Sequence, residues 1–256
     1  MSINTENLKG ASLPGVFAEG WEFKELLPEL NEALINRGVL ALRIAGQPPY
    51  GYVFRVDDVE LVRRVWRAKG RLKGESEIDL SKKPVTSLSQ DHLERFIDWE
   101  KLCQFGFKKE IVMQLLDLHV HTVLSVNENI PAHLTLPTNY GPTVSTMRFP
   151  EGDLMRMLVD SVAEVDSTVI VGGTSLNPTG YEPFVDTEDL VKKMSVLDTV
   201  DLFVLSKDPR KSNMNLGAFH PMIALQSQGI KVLRQGIDFE EIVHQIEKME
   251  LRMIES

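Results

Sequence analysis

Two stretches of this chain carry residue types that could hold a polyphosphate. The first is Gly172-Gly173-Thr174-Ser175-Leu176-Asn177-Pro178-Thr179-Gly180, which follows the run Thr168-Val169-Ile170-Val171. That β-branched run reads as a buried strand, so a strand is expected to lead into a loop of glycine, hydroxyl and amide residues. Glycines let a backbone approach a ligand closely and present amide donors without side-chain bulk. Thr174, Ser175 and Asn177 add donors and acceptors for a phosphate or carboxylate. The second stretch is Arg63-Arg64-Val65-Trp66-Arg67-Ala68-Lys69-Gly70-Arg71-Leu72-Lys73, six cations in eleven residues of a chain whose formal net charge is −9. Lysine offers a point charge and arginine a fork for paired oxygens. Each stretch alone has an ordinary explanation: an Asn/Gly turn for the first, cations offsetting a helix C-terminal dipole for the second. Dipole capping uses one or two cations, not six. The expectation is that the two stretches face one another across a single cleft, with Lys69 near Asn177.

A third pattern, Asp117-Leu118-His119-Val120-His121-Thr122, resembles the D-x-H-x-H metal strand of polymerase-and-histidinol-phosphatase hydrolases. On a strand, a period of two would turn Asp117, His119 and His121 to one face, where they could ligate zinc or manganese. The flanking apolar residues argue for a helix. Ile111, Leu115 and Leu118 follow one helical line, and Leu116, Val120 and Val123 follow another. On a helix His119 and His121 diverge by roughly 200° and cannot share an ion. The reading is therefore a buried helix over 108–125 that binds no metal, with a metal-dependent hydrolase as the least favoured function.

The elements that must position these residues follow from periodicity and caps. Phe23, Leu26, Leu27, Leu30 and Leu34 have helical spacing, closed by Gly38. Strands are expected at 39–44 and 52–56, around a loop with two prolines and two glycines at 45–51. Asp57 or Asp58 caps a helix with Val59, Val62, Val65 and Trp66 on one face, ended by Gly70. Ser89 is expected to cap a helix reaching Leu102, broken at Gly106, with the next starting near Lys108. Further strands are expected at 132–136, 145–149, 202–205, 222–225 and 231–233. Helices are expected from Asp153, near 186–194 and over 239–254, with a polar loop at 206–216. Strands and helices interleave from 23 to 254, which argues α/β: one domain over 23–256 behind a polar arm at 1–22.

Composition sets the outer bounds. The 256 residues are 43% apolar and 25% charged, ordinary for a globular protein. No apolar run reaches membrane-spanning length, so no membrane segment is expected. The polar, acidic N-terminus is not a secretory signal, and the single Cys103 fits a reducing compartment, so a cytoplasmic location is expected. The acidic balance gives no general electrostatic help toward nucleic acid, leaving the local stretch Arg63–Lys73 for any RNA contact.

Taken together, the motifs resemble the YrdC-like family, which includes the threonylcarbamoyl-adenylate synthases. Lys69-Gly70-Arg71 resembles its K-x-R signature and Ser175-Leu176-Asn177 its S-x-N. Pro131-Ala132-His133-Leu134-Thr135-Leu136 resembles its P-G-P-L-T-L strand entry. Met147-Arg148-Phe149-Pro150 resembles V-R-x-P, and Leu233-Arg234-Gln235-Gly236 resembles the closing R-x-G. Tyr50-Gly51 keeps part of the first-loop turn. The resemblance covers about 25–245 and implies a single YrdC-like α/β domain with a twisted mixed sheet flanked by helices. It implies an activity that condenses an amino acid, bicarbonate and ATP, with Mg2+ carried by the nucleotide. Lys69 and Arg71 would then be the catalytic clamp on phosphate or carboxylate groups. Thr174, Ser175, Asn177, Arg148 and Arg234 would bind nucleotide or phosphate, and Tyr50 and Gly51 would belong to the substrate loop. The family's P-T-D/E-T-V-Y-G loop has lost both threonines and the acid here, and its S-T-I-V segment is matched at best by His220-Pro221-Met222-Ile223. The nucleotide half is thus better kept than the amino-acid half. A non-catalytic RNA-binding module of the same fold, using Arg63–Lys73, is the alternative.

Overall fold

The apolar line Leu26, Leu30 and Leu34 lies on a helix, Glu22–Ile35, and all three side chains are buried. The line meets a second amphipathic helix, Leu154–Val165, which buries Met155, Leu158, Val159 and Val162. Between them Asn31 Nδ2 donates to Ser161 Oγ. Asp153 caps the second helix by accepting from Met155 N at 2.7 Å. The computed structural model describes residues 15–17, 22–43, 50–73, 77–78, 86–87, 94–149, 151–178, 199–205, 220–236 and 238–254. The chain forms two units, one from Met1–Asp79 with Glu151–Asn215, the other from Leu80–Pro150 with Leu216–Ser256.

In the first unit the sheet order is Gly15–Phe17, Leu202–Leu205, Leu40–Arg43, Tyr50–Arg55, Val171–Ser175. The first two pairings are parallel and the last two antiparallel. The helix Val59–Ala68 packs on this sheet through Leu61, Val62, Val65 and Trp66, all buried. Asp58 caps it by accepting from Glu60 N at 2.9 Å and Leu61 N at 3.3 Å. In the second unit the order is Thr86–Ser87, Gly141–Thr146, His121–Ser125, Met222–Gln226, Gly229–Arg234, Met253–Ile254, with Leu136–Thr138 on Gly141–Thr146 as a hairpin. Parallel and antiparallel pairings alternate across it. Helices Trp99–Gln104 and Lys109–Leu116 pack on the His121–Ser125 strand. Both units are α/β with mixed sheets flanked by helices.

Several boundaries differ from the sequence expectations, each for a tertiary reason. The strand expected at 168–171 is Val171–Ser175, so Gly172, Gly173 and Thr174 are strand residues and not loop. Their backbone groups join the ladder opposite Phe54, Val53 and Tyr52, which offsets the entropic cost of glycine in a strand. The helix expected over 108–125 stops at Leu116. His119 takes φ 54, and His121–Ser125 is a strand pinned between two neighbours. Period-3.6 apolar spacing gave way to the β-branched run Val120, Thr122, Val123 and Val126, which fits a pleated buried surface. The helix expected to run from Ser89, itself outside the described residues, to Leu102 is interrupted: Ile97 bridges to Val126, and Asp98 caps a separate helix, Trp99–Gln104, by accepting from Lys101 N. Ala132–Leu134 is a 3-10 turn in place of a strand, with the strand following at Leu136–Thr138. The strand expected at 145–149 is Gly141–Thr146. The last helix ends at Lys248, where Glu250 at φ 57 turns the chain into the edge strand Met253–Ile254. Within the expected polar arm, Gly15–Phe17 forms a strand. The expected helix at 186–194, the loop at 206–216, and residues 45–49 and 179–180 lie outside the described residues.

Candidate functional site

The helix Val59–Ala68 ends in a Schellman turn, and that turn sets the directions of Lys69 and Arg71. Gly70 N donates to Arg67 O at 3.0 Å and Arg71 N to Trp66 O at 2.8 Å. Gly70 sits at φ 64, where an L side chain is strained. Arg71 stacks back on the helix, its guanidinium carbon 5.1 Å from the Trp66 ring centre. Burial lowers the Arg71 guanidinium to about 10. Desolvation of a cation strengthens its attraction to any anion that reaches it.

Lys69 points inward and is only 1% exposed. Its Nζ donates to Ser175 O and to Asn177 O at 2.6 Å, with Ser175 Oγ at 3.4 Å and the Tyr52 ring centre at 5.9 Å. Each charge-assisted bond to a carbonyl returns about 1.5–3 kcal/mol against the cost of removing the ammonium from water. The sheet fixes the other side. Ser175 is in register with Gly51 and Thr174 with Tyr52, and Leu176 N donates to Tyr50 O at 2.9 Å. Tyr50 and Gly51 are buried, and Asn177 is 6% exposed with Nδ2 donating to Pro178 O. Lys69 and Asn177 are therefore in direct contact, where the sequence suggested opposite walls of a cleft. The sheet and the Schellman turn bring Lys69, Thr174, Ser175, Asn177, Tyr50 and Gly51 together in the first unit, and Arg71 leaves the same turn.

The rest of the basic stretch disperses. Arg63 pairs with Glu60. Arg64 forks onto Asp201 with two hydrogen bonds of 2.9 Å. That same carboxylate accepts from Val39 N at 2.8 Å, so the pair ties the helix to a strand end.

Arg148 and Arg234 belong to the second unit. Arg148 Nε lies 3.1 Å from Asp117 Oδ1. Arg234 donates to the His220 carbonyl from Nε at 3.2 Å and from Nη2 at 2.8 Å. The D-x-H-x-H residues go separate ways. Asp117 caps the Lys109–Leu116 helix, His119 lies 6.4 Å from the Phe149 ring, and His121 Nδ1 meets Thr86 Oγ1 at 3.0 Å. Among the described residues no group of three His, Cys, Asp or Glu could hold a metal ion. The sequence reading missed the approach of His121 to His220, ring centres 6.0 Å apart. Its only signal is the parallel pairing that sets Met222 beside His121, which no local pattern announces.

No family model matches this chain, and no curated protein does. Solved structures do. P. abyssi Sua5 complexed with L-threonine has a TM-score of 0.59 at 17% identity, covering 95% of this chain and 63% of that one. E. coli YciO has 0.58 at 15%, covering 89% of this chain and 96% of that one. Full-length HypF in a phosphate- and nucleotide-bound form has 0.56 at 15%, covering 81% of this chain and 28% of that one. The chain thus spans less than two thirds of the Sua5 and HypF chains. At such identities the likeness is one of backbone, and it places this chain in the YrdC-like α/β fold of Sua5 and YciO.

Proposed function

We propose that this chain binds ATP and forms a carbamoyl-adenylate from an amino acid, bicarbonate and MgATP. The observation that carries the reading is the single turn that sends Lys69 into the Ser175–Asn177 segment and lays the guanidinium of Arg71, two residues on, over the Trp66 ring. The fold's solved neighbours include one described as nucleotide-bound and one described with L-threonine, which supports the substrate classes. In the proposed reaction the amine nitrogen adds to the bicarbonate carbon and water is lost. A carboxylate oxygen of the product attacks the α-phosphorus. The bond from that phosphorus to the bridging oxygen breaks, and pyrophosphate leaves with the electron pair and its magnesium. Little covalent work falls to the protein, so positioning and charge stabilisation dominate. Arg71 would meet phosphate oxygens directly. Lys69 would fix the backbone of Ser175 and Asn177, so that the Thr174 and Ser175 hydroxyls and the Asn177 amide meet the nucleotide in a set geometry. Arg148 pairs with Asp117, and Arg234 holds the His220 carbonyl, both within the second unit. Arg63 and Arg64 already hold carboxylates, so an RNA surface over 63–73 draws no support from their geometry.

The substrate loop bears on amino-acid choice. A site that reads a substrate hydroxyl discriminates steeply through its own donors and acceptors. Two lost neutral hydrogen bonds of about 0.5–1.5 kcal/mol each weaken recognition by roughly one to two orders of magnitude. Pyrophosphate release from MgATP, measured with bicarbonate across a panel of amino acids, tests the proposal. The expected result is release that needs both bicarbonate and an amino acid, with L-threonine a poor substrate. No release with any amino acid would contradict the reaction, and ordinary threonine turnover would contradict the substrate argument.

A further inference from the structure

We propose that Trp66 is the positioning residue of the candidate phosphate site, its indole holding the Arg71 guanidinium where it meets a nucleotide. The inference rests on the adenylate-forming reading for the anion that Arg71 meets, and adds the group that aims the cation. Both residues lie in the first unit. Trp66 is 1% exposed and belongs to the buried face that packs the helix Val59–Ala68 on the sheet, so its ring has one fixed place. It meets Arg71 twice. The Trp66 carbonyl accepts from Arg71 N at 2.8 Å, and the guanidinium carbon lies over the indole, 5.1 Å from its centre. Beyond Arg71 the chain enters Leu72–Lys73, paired with Glu77–Ile78, so the backbone is held on both sides of the arginine.

A Schellman turn commonly brings an apolar pair together at these two positions, three residues before the cap and two after it. Here the second position is an arginine. Closing the turn needs no charge there: a leucine or methionine at 71 would cover the indole without taking a guanidinium out of water. The cost shows in Arg71, whose guanidinium burial lowers to about 10. Attraction to the face of indole, the strongest such ring for a cation, offsets part of that cost. What the arrangement supplies in return is direction. Arginine is a planar fork, which matches phosphate oxygens in few orientations. Ordering such a side chain only on binding lowers affinity by about two- to tenfold, and a ring that orders it beforehand restores that factor. The turn thus sets its two cations by different means: Lys69 by the carbonyls of Ser175 and Asn177, Arg71 by the indole.

Calorimetric titration with MgATP, together with fluorine NMR of the full chain labelled with fluorotryptophan, tests the inference. Trp66→Phe identifies the Trp66 resonance among the three indoles. That resonance is expected to shift saturably with MgATP, at the affinity calorimetry gives, and to stay in place when MgATP is added to Arg71→Ala. Trp66→Leu, shown to be folded by urea unfolding, is expected to weaken binding by about three- to tenfold. Trp66→Phe keeps an aromatic face and retains most of the affinity. In an Arg71→Ala background Trp66→Leu brings no further loss, which a purely structural role for the indole would not produce. A Trp66 resonance that stays in place at MgATP saturation of the wild-type protein overturns the inference, and this arm decides where Trp66→Leu does not fold. Wild-type affinity in Trp66→Leu, or a loss equally large with and without Arg71, also overturns it, while the adenylate-forming reading stands. No MgATP binding by the wild-type protein overturns both.

Discussion

Lys69 spends its ammonium hydrogens on backbone carbonyls of Ser175 and Asn177, and Arg71, two residues on, lies over an indole. The two cations of one motif should therefore fail differently. Lys69→Met leaves carbonyl oxygens buried without their donor, and a loss of roughly 2–4 kcal/mol is expected. Arg71→Ala removes a cation–π contact on a partly exposed surface and should cost about 1 kcal/mol. Urea midpoints of the two variants measure the split, and an unchanged midpoint for Lys69→Met would show that Lys69 does not hold the Ser175–Asn177 segment. The closeness of Lys69 to Asn177 was legible in the sequence, because only the two stretches together make a polyphosphate site. The atoms that meet were not legible. Side-chain chemistry pointed to hydroxyl and amide partners, and the backbone carbonyls, present at every residue, took the lysine instead. The pairing of His121 with His220 was equally hidden, since it depends on which strands become neighbours.

The helix Val59–Ala68 carries the motif because both its ends are locally encoded. Asp58 accepts from two first-turn amides and also pairs with Arg37 Nε at 2.6 Å. Gly70 takes the left-handed turn, and a Cβ built there meets nothing within 4 Å. Asp58→Ala should lower stability by about 1–2 kcal/mol through the lost cap. Gly70→Ala should cost about 1–2 kcal/mol from backbone strain alone, without a steric clash. Thermal or urea unfolding of both checks this, and a neutral Gly70→Ala would show that the Schellman turn does not hold Lys69 and Arg71. These caps were readable because they act over three or four residues. The strands Val171–Ser175 and His121–Ser125 were misplaced because their limits are set by partners far away in sequence. Gly172 and Gly173 look like loop until Phe54 and Val53 are placed opposite them. Likewise the apolar lines of 111–123 look helical until Gly141–Thr146 and Met222–Gln226 flank His121–Ser125.

Across the whole molecule, the α/β class followed from the interleaving of strand and helix patterns, which survives errors of several residues at each boundary. The YrdC-like fold followed from short motifs in order, although one of them, at 131–136, sits on a 3-10 turn where a strand entry was expected. Of the expected site residues, Lys69, Ser175 and Asn177 converge in the first unit, and Arg148 and Arg234 have partners in the second. The central claim is that the Lys69–Arg71 turn and the Thr174–Asn177 segment bind the phosphates of a nucleotide. Calorimetric titration of the wild-type protein and of Arg71→Ala with MgATP tests it most directly. The account predicts saturable binding at one site, weakened at least about tenfold, or roughly 1.4 kcal/mol, in Arg71→Ala. Heats of dilution alone in the wild-type protein, or equal affinity in the two proteins, would contradict it.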